Sequence, residues 1–170
     1  MMKPVLIAVT FGLISALGSP SVLAEACDIS ETKCVRNNGK CNIKFRNHTG
    51  KTGGSDGGTV LDQTSSAQMI KITARKAKNR RAGNEITIQS GANKTMNVDK
   101  KAARKFKRIR ITAPEDKQVQ RIVMSCEDVI SVLNGNGVCT VFHGQTDRGW
   151  GEWKFFLGYQ CDGGKVSAPR

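Results

Sequence analysis

Apolar and polar residues alternate with a period of two along most of the chain from residue 42 onward, the pattern of strands with one face buried. Ile43 and Phe45 alternate with Asn42, Lys44 and Arg46, and Ile70 and Ile72 flank Lys71. Ile86 and Ile88 flank Thr87, and Met96 and Val98 flank Asn97. Ile109 and Ile111 alternate with Arg108, Arg110 and Thr112, while Trp153, Phe155, Leu157 and Tyr159 share one face of a longer strand. Val129–Leu133 and Val138–Phe142 bracket Asn134-Gly135-Asn136-Gly137, and Asn-Gly suits the positive φ angles of a tight turn, so a hairpin is predicted there. The pieces 47–58, 79–84, 91–93 and 144–151 read as turns. One short helix is expected after Asp99, which could cap a run placing Val98, Ala102, Phe106 and Ile109 near one face before the Ile109/Ile111 strand; a basic hairpin competes for the same residues. Short strands at this spacing predict a mainly β fold, a small antiparallel sandwich or barrel with at most one or two short helices.

The start of the chain alters the picture of compartment. Lys3 precedes a 13-residue apolar run, Val5–Leu17, followed by Gly18, Pro20 and small residues up to Ala24. Charge, apolar stretch and small-residue site in that order form the secretory signal pattern, and the run falls short of the roughly 20 residues that span a bilayer. The expected organisation is a signal peptide over 1–24, one β-rich domain over 25–161 and a loose tail over 162–170, with no transmembrane segment after signal removal. A secreted or periplasmic location follows. All six cysteines, Cys27, Cys34, Cys41, Cys126, Cys139 and Cys161, lie beyond the signal. In an exported chain an even number reads as a disulfide framework, here of undetermined pairing. Three lie before residue 42 and three after residue 125, which predicts bridges between the two ends. Their spacings contain no C-x2-C pair, so no metal site is expected, and nothing implies a cofactor.

Charge is the most informative quantity. Of 27 Lys and Arg against 14 Asp and Glu, Lys71–Arg121 holds 16 basic and 4 acidic residues, a net of +12. The flanks, 25–70 and 122–170, come to +1 and −1. So lopsided a field concentrates anions. The expected polyanion-binding set is Arg75, Lys76, Lys78, Arg80, Arg81, Lys100, Lys101, Arg104, Lys105, Lys107, Arg108 and Arg110. Its partner would be an anionic polymer or membrane surface: anionic polysaccharide, lipopolysaccharide, nucleic-acid backbone or anionic lipid. Phe106 is the one aromatic residue of that stretch, which disfavours recognition by base stacking. Neutralising about six anions would give log affinity a slope of about −5 on log salt.

Other residues invite other chemistry. His48 and His143 are the two histidines, and a ribonuclease-like hydrolase could use one as base and the other as acid. His143 reads more simply as a strand-end residue facing solvent. No reacting group is assigned on this basis, and the balance leans away from catalysis. Trp150, between Gly149 and Gly151, could stack on a sugar ring or fold onto the sheet edge. Asp147 and Glu152 flank the same loop without further support for hydrolysis. A toxin or inhibitor acting on a secreted or host protein is a further class. Gly50-Lys51-Thr52 ends like a phosphate-binding loop but has Phe45 at the place of the earlier glycine. Asn47-His48-Thr49 and Asn93-Lys94-Thr95 match the glycosylation acceptor pattern.

Overall fold

The computed structural model describes residues 27–50, 55–56, 59–60, 67–117, 119, 121–147 and 153–168; for 55–56, 59–60, 145–147 and 153–155 it describes the backbone alone. The signal-peptide expectation, the Lys51-Thr52 motif, Trp150 and Glu152 lie outside the described residues, as do the side chains of Asp147 and Trp153.

Two four-stranded sheets carry the fold, in a sandwich-like arrangement that matches the mainly β expectation. The strands are β1 (Asn42–Asn47), β2 (Ser55–Asp56), β3 (Thr59–Val60), β4 (Ile70–Lys76), β5 (Ile86–Ile88), β6 (Asn93–Asn97), β7 (Phe106–Thr112), β8 (Ile122–Val123), β9 (Val138–Asp147) and β10 (Trp153–Cys161). The first sheet has the order β10-β9-β1-β6 and the second β5-β4-β7-β8, while β2 and β3 form a separate pair. The pairs are antiparallel except β1 with β9, which is parallel. The core takes the apolar parity of both sheets. Ile43, Phe45, Met96, Val141 and Leu157 come from the first, and Ile70, Ile72, Ile88, Ile109 and Ile111 from the second; each is fully buried.

A buried polar knot joins the sheets at one end. Asn47 Nδ2 donates to the carbonyls of Gln68 (2.7 Å) and Ile88 (2.9 Å), and Asn47 Oδ1 accepts from Thr49 N and Oγ1. Asn47 thereby ties β1 to β5 and to the segment leading into β4, and satisfies polar groups that would be costly to bury unpaired.

Two of the expected elements change and one between them holds. Residues 126–134 form a helix, α2 (Cys126–Asn134), where the first arm of a hairpin is predicted. Val129, Val132 and Leu133 are buried at helical spacing, and the Ser125 hydroxyl caps the start by accepting from Asp128 N at 3.1 Å. Gly137 does adopt a positive φ of 71°, but its turn joins a helix to a strand. The short helix expected after Asp99 is present: the Asp99 carboxylate accepts from Lys101 N, and a 3-10 helix runs Lys100–Lys105 directly into β7, which takes Phe106 and Ile109 as strand residues. Gly144, expected in a turn, lies within β9 opposite Phe156, whose ring occupies the space a Cβ there would need.

Of the three disulfides, Cys27–Cys126 joins the two ends of the chain as expected, across a separation of 99 residues. Cys34–Cys41 and Cys139–Cys161 are local, closing the short helix α1 (Lys33–Arg36) onto the start of β1 and pairing β9 with β10. No helix among the described residues is long and apolar enough to cross a membrane. Segment 162–168, read as part of a loose tail, bonds back to the fold. The backbones of Ser167 and Tyr159 exchange hydrogen bonds, and the Asp162 carboxylate accepts from Asn136 N and Val138 N.

Candidate anion-binding surface

The outward parity of the second sheet is cationic. With Ile72, Ala74, Ile109 and Ile111 directed to the core, β4 and β7 turn Lys71, Thr73, Arg75, Arg108, Arg110 and Thr112 the other way. Register then assembles the rows. Arg81, Arg75 and Arg108 lie side by side, Thr73 and Arg110 adjoin Val123, and Lys71 adjoins Thr112. Arg121 precedes Ile122, which pairs with Ile111, so it stands at the level of Thr112. Adjacent strands are about 4.8 Å apart and alternate residues of one strand about 6.7 Å apart, so these guanidiniums form a compact lattice.

Glu85 is the one carboxylate among the described residues that pairs with this face, at 2.8 Å from Lys71 Nζ. The hydrogen bond from Lys71 holds the Glu85 carboxyl below the usual range, and the charges of Lys71, Arg81 and Arg75 act in the same direction. Burial lowers the Arg110 pKa, and Arg108, Arg121 and Arg75 depress it further by repulsion. The Nε atoms of Arg108 and Arg110 are buried without a hydrogen-bond partner. Buried donors of that kind are costly unless something accepts from them.

Beyond Arg75 the chain makes a tight turn. Its 3-10 segment is Ala77–Asn79, and Lys76 N donates to Arg80 O at 2.8 Å. Lys78 and Asn79 adopt left-handed φ angles of 58° and 54°. Asn79 fastens the turn to the arginine face: its carbonyl accepts from Arg75 Nη1 at 3.3 Å and its Oδ1 from Arg108 Nη2 at 3.1 Å. A cleft of about 370 Å³ beside the turn is lined by Lys76, Ala77, Lys78, Arg80 and Lys105. It adjoins a groove of about 520 Å³ that shares Lys76 and Lys105 and continues to Lys100, Lys101 and Arg104. Glu31 is the acidic residue of that groove and also lies 3.7 Å from Arg36. Lys100 Nζ donates to the Asn38 carbonyl and Oδ1.

Eleven of the twelve cations expected from sequence thus line the sheet face, the cleft or the groove. Lys107 is the exception. The register between β4 and β7 shifts there, with Arg75 opposite Arg108 and Lys76 opposite Phe106, so Lys107 is left in a bulge. Sequence reasoning missed Arg121 from the sheet face and Asn79 as the residue that organises it. It placed Lys71 on an outward face without assigning it to the set.

The histidines do not form a comparable arrangement. His143 lies inside β9, buried at 2% exposure with the parity of Val141, which corrects its expected place at a solvent-facing strand end. Burial lowers its pKa, with Asp116 opposing. His48 follows the inward-facing Asn47 and takes the other parity of the first sheet, its backbone N–H donating to Val141 O. Asn47 of the first glycosylation triplet is 2% exposed with its amide engaged, whereas Asn93 is exposed. Among the described residues, no group of three or more His, Cys, Asp or Glu could hold a metal ion.

Fold and surface together define the class: a disulfide-stapled, sandwich-like β domain with a cationic outer sheet. Compared with the models of known protein families, with curated proteins and with solved structures, the chain matches none.

Proposed function

We propose that this protein is an extracytoplasmic binding module for polyanions, and that it meets them with the outer face of the second sheet. The observation that carries this reading is the gathering of Arg75, Arg81, Arg108, Arg110 and Arg121 on one face, with one paired carboxylate, Glu85, beside them among the described residues. Such a cluster repels itself. An anionic polymer offsets the repulsion and releases its own counterions. Arginine suits phosphate, sulfate and carboxylate because its planar fork binds two oxygens at once. The described part of the face carries no aromatic side chain, which favours backbone or headgroup contact over base stacking. Three disulfides and the signal-like start support an oxidising, exported setting. The inward parity of His143 weighs against a paired-histidine hydrolase.

The test is retention on immobilised heparin and on DNA across a salt series. With about five anions contacted, the slope of log affinity on log salt is expected near −4 to −5 for duplex DNA. Replacing Arg108 and Arg110 by Gln should lower its magnitude by about 2. Replacing Lys44 and Arg46, on the outward parity of the first sheet, removes the same charge and should change elution much less. Equal effects of the two double variants would mean that net charge alone governs retention, and the reading would fall.

A further inference from the structure

The triplet Asn47-His48-Thr49 has the acceptor pattern for an N-linked glycan, and the fold closes it to one. A glycan is bulky and belongs on a surface, whereas Asn47 is 2% exposed and Thr49 is fully buried. Both hydrogens of Asn47 Nδ2 are in use, on Gln68 O at 2.7 Å and on Ile88 O at 2.9 Å. Its Oδ1 accepts from Thr49 N at 3.0 Å and from Thr49 Oγ1 at 2.7 Å. The backbone is engaged too, Asn47 N donating to Ala92 O and Asn47 O accepting from Gly91 N. Thr49 Oγ1 also accepts from Gln68 N at 2.9 Å, and the Ser90 hydroxyl donates to Thr49 O. The next residue leaves no slack, since a Cβ on Gly50 would lie 2.6 Å from Ala67 Cα.

Attaching a sugar exchanges one Nδ2 hydrogen for a bond to carbon. One of the two buried carbonyls then loses its donor, and the sugar has no space among the residues that enclose Asn47. A modified Asn47 and this fold therefore exclude each other. Order of synthesis gives no protection. Gln68 and Ile88 follow Asn47 by 21 and 41 residues, so the emerging chain presents the triplet before the residues that bury it. Three disulfides require an oxidising compartment, and the endoplasmic reticulum and the bacterial periplasm are the main ones in which such bonds form. The first attaches glycans to such triplets on emerging chains; the second need not.

We infer that this protein folds in an oxidising compartment that leaves its asparagine triplets bare, of the bacterial periplasmic kind. The inference goes beyond the polyanion reading and does not depend on it. Asn93, in the other triplet, is exposed and carries no such constraint.

The experiment uses the full chain carrying Thr95→Val, an exposed position, which makes Asn47 the sole acceptor triplet. It is produced in a eukaryotic secretory host, and glycan-bearing chains are parted from bare ones on a lectin column. Both are reduced and refolded in an oxidising buffer that restores the protein purified from a bacterial periplasm. Bare chains should regain the protease resistance of the periplasmic protein, and modified chains should be cleaved at least about tenfold faster. Equal resistance of the two overturns the inference. So does a host product in which Asn47 is bare throughout, because the triplet would then be harmless in a glycosylating compartment. Asn47→Asp, made in the periplasm, removes both Nδ2 donors without a sugar and should be similarly sensitive; full resistance would show that the knot is dispensable, and the inference would fall. Heparin retention reads the arginine face alone, so either proposal can fail without the other.

Discussion

His143 shows how one residue's surroundings set its chemistry. It pairs in register with Leu157 and shares the buried parity of Val141. Burial lowers its pKa from the ordinary 6.5, so the folded protein takes up this proton at a lower pH than the unfolded chain does. Above pH 7 both states are neutral and the group has no effect. As pH falls through 6.5 the unfolded chain is protonated first, and stability declines. The urea midpoint should therefore drop between pH 7 and pH 5, and His143→Gln should flatten part of that slope. An unchanged slope in the variant would assign the decline to other groups. Which residues face the core was legible from alternation in β1, β4 and β7; in β9 it was not, because Val141, Phe142, His143 and Gly144 are buried in succession, nor was it legible that the stretch expected to turn at Gly144 continues as strand. The strand persists because Phe156 covers that glycine from across the pair, a contact made only once β10 has docked.

Among the elements, α2 is where local signals competed. The Asn-Gly pairs at 134–137 led to a strand assignment for Val129–Leu133, whereas the spacing of Val129, Val132 and Leu133 and the Ser125–Asp128 cap describe a helix. Asp128 is also engaged beyond its own helix. Its Oδ2 accepts from the Tyr159 hydroxyl at 2.5 Å and from Ser167 Oγ at 3.2 Å, and the Tyr159 oxygen in turn accepts from Ser125 N. Burial, with the hydrogen bond to Asp128, raises the Tyr159 pKa and keeps the hydroxyl protonated as a donor. Ser125→Ala should destabilise the protein by about 1 kcal/mol, read as a lower denaturant midpoint at unchanged slope, because Asp128 N loses its acceptor. The arginine rows are an element-scale feature of the opposite sort. Which strands neighbour one another is decided by pairing between distant segments, so the sequence could mark basic residues but not the juxtaposition of Arg81, Arg75 and Arg108. Arg121 escaped notice for the same reason.

For the whole molecule, the disulfides differ in what they restrain. Cys27–Cys126 closes a loop of about a hundred residues, and chain entropy assigns such a link about 4–5 kcal/mol, against about 2–3 for the short loop closed by Cys34–Cys41. Replacing each pair by Ala should lower the thermal midpoint in that order, measured by calorimetry; the reverse order would show that native packing around the cysteines outweighs loop entropy. The even cysteine count and the split of the six between the two ends were visible in the sequence. The two local pairings were not, because they follow from where β1, β9 and β10 come to rest.

The parallel contact of β1 with β9 has a bearing on how the protein is made. Residues 42–47 find one of their two sheet neighbours in residues 138–147, so a growing chain carries β1 half-edged through most of its synthesis. All sixteen cations of the central stretch emerge before that neighbour exists. Assembly must wait for a segment close to the carboxyl end, and slow closure is typical of topologies built on such distant pairings. Until then the basic middle is a tether without a scaffold, able to attract counter-charged company but not to hold it in register.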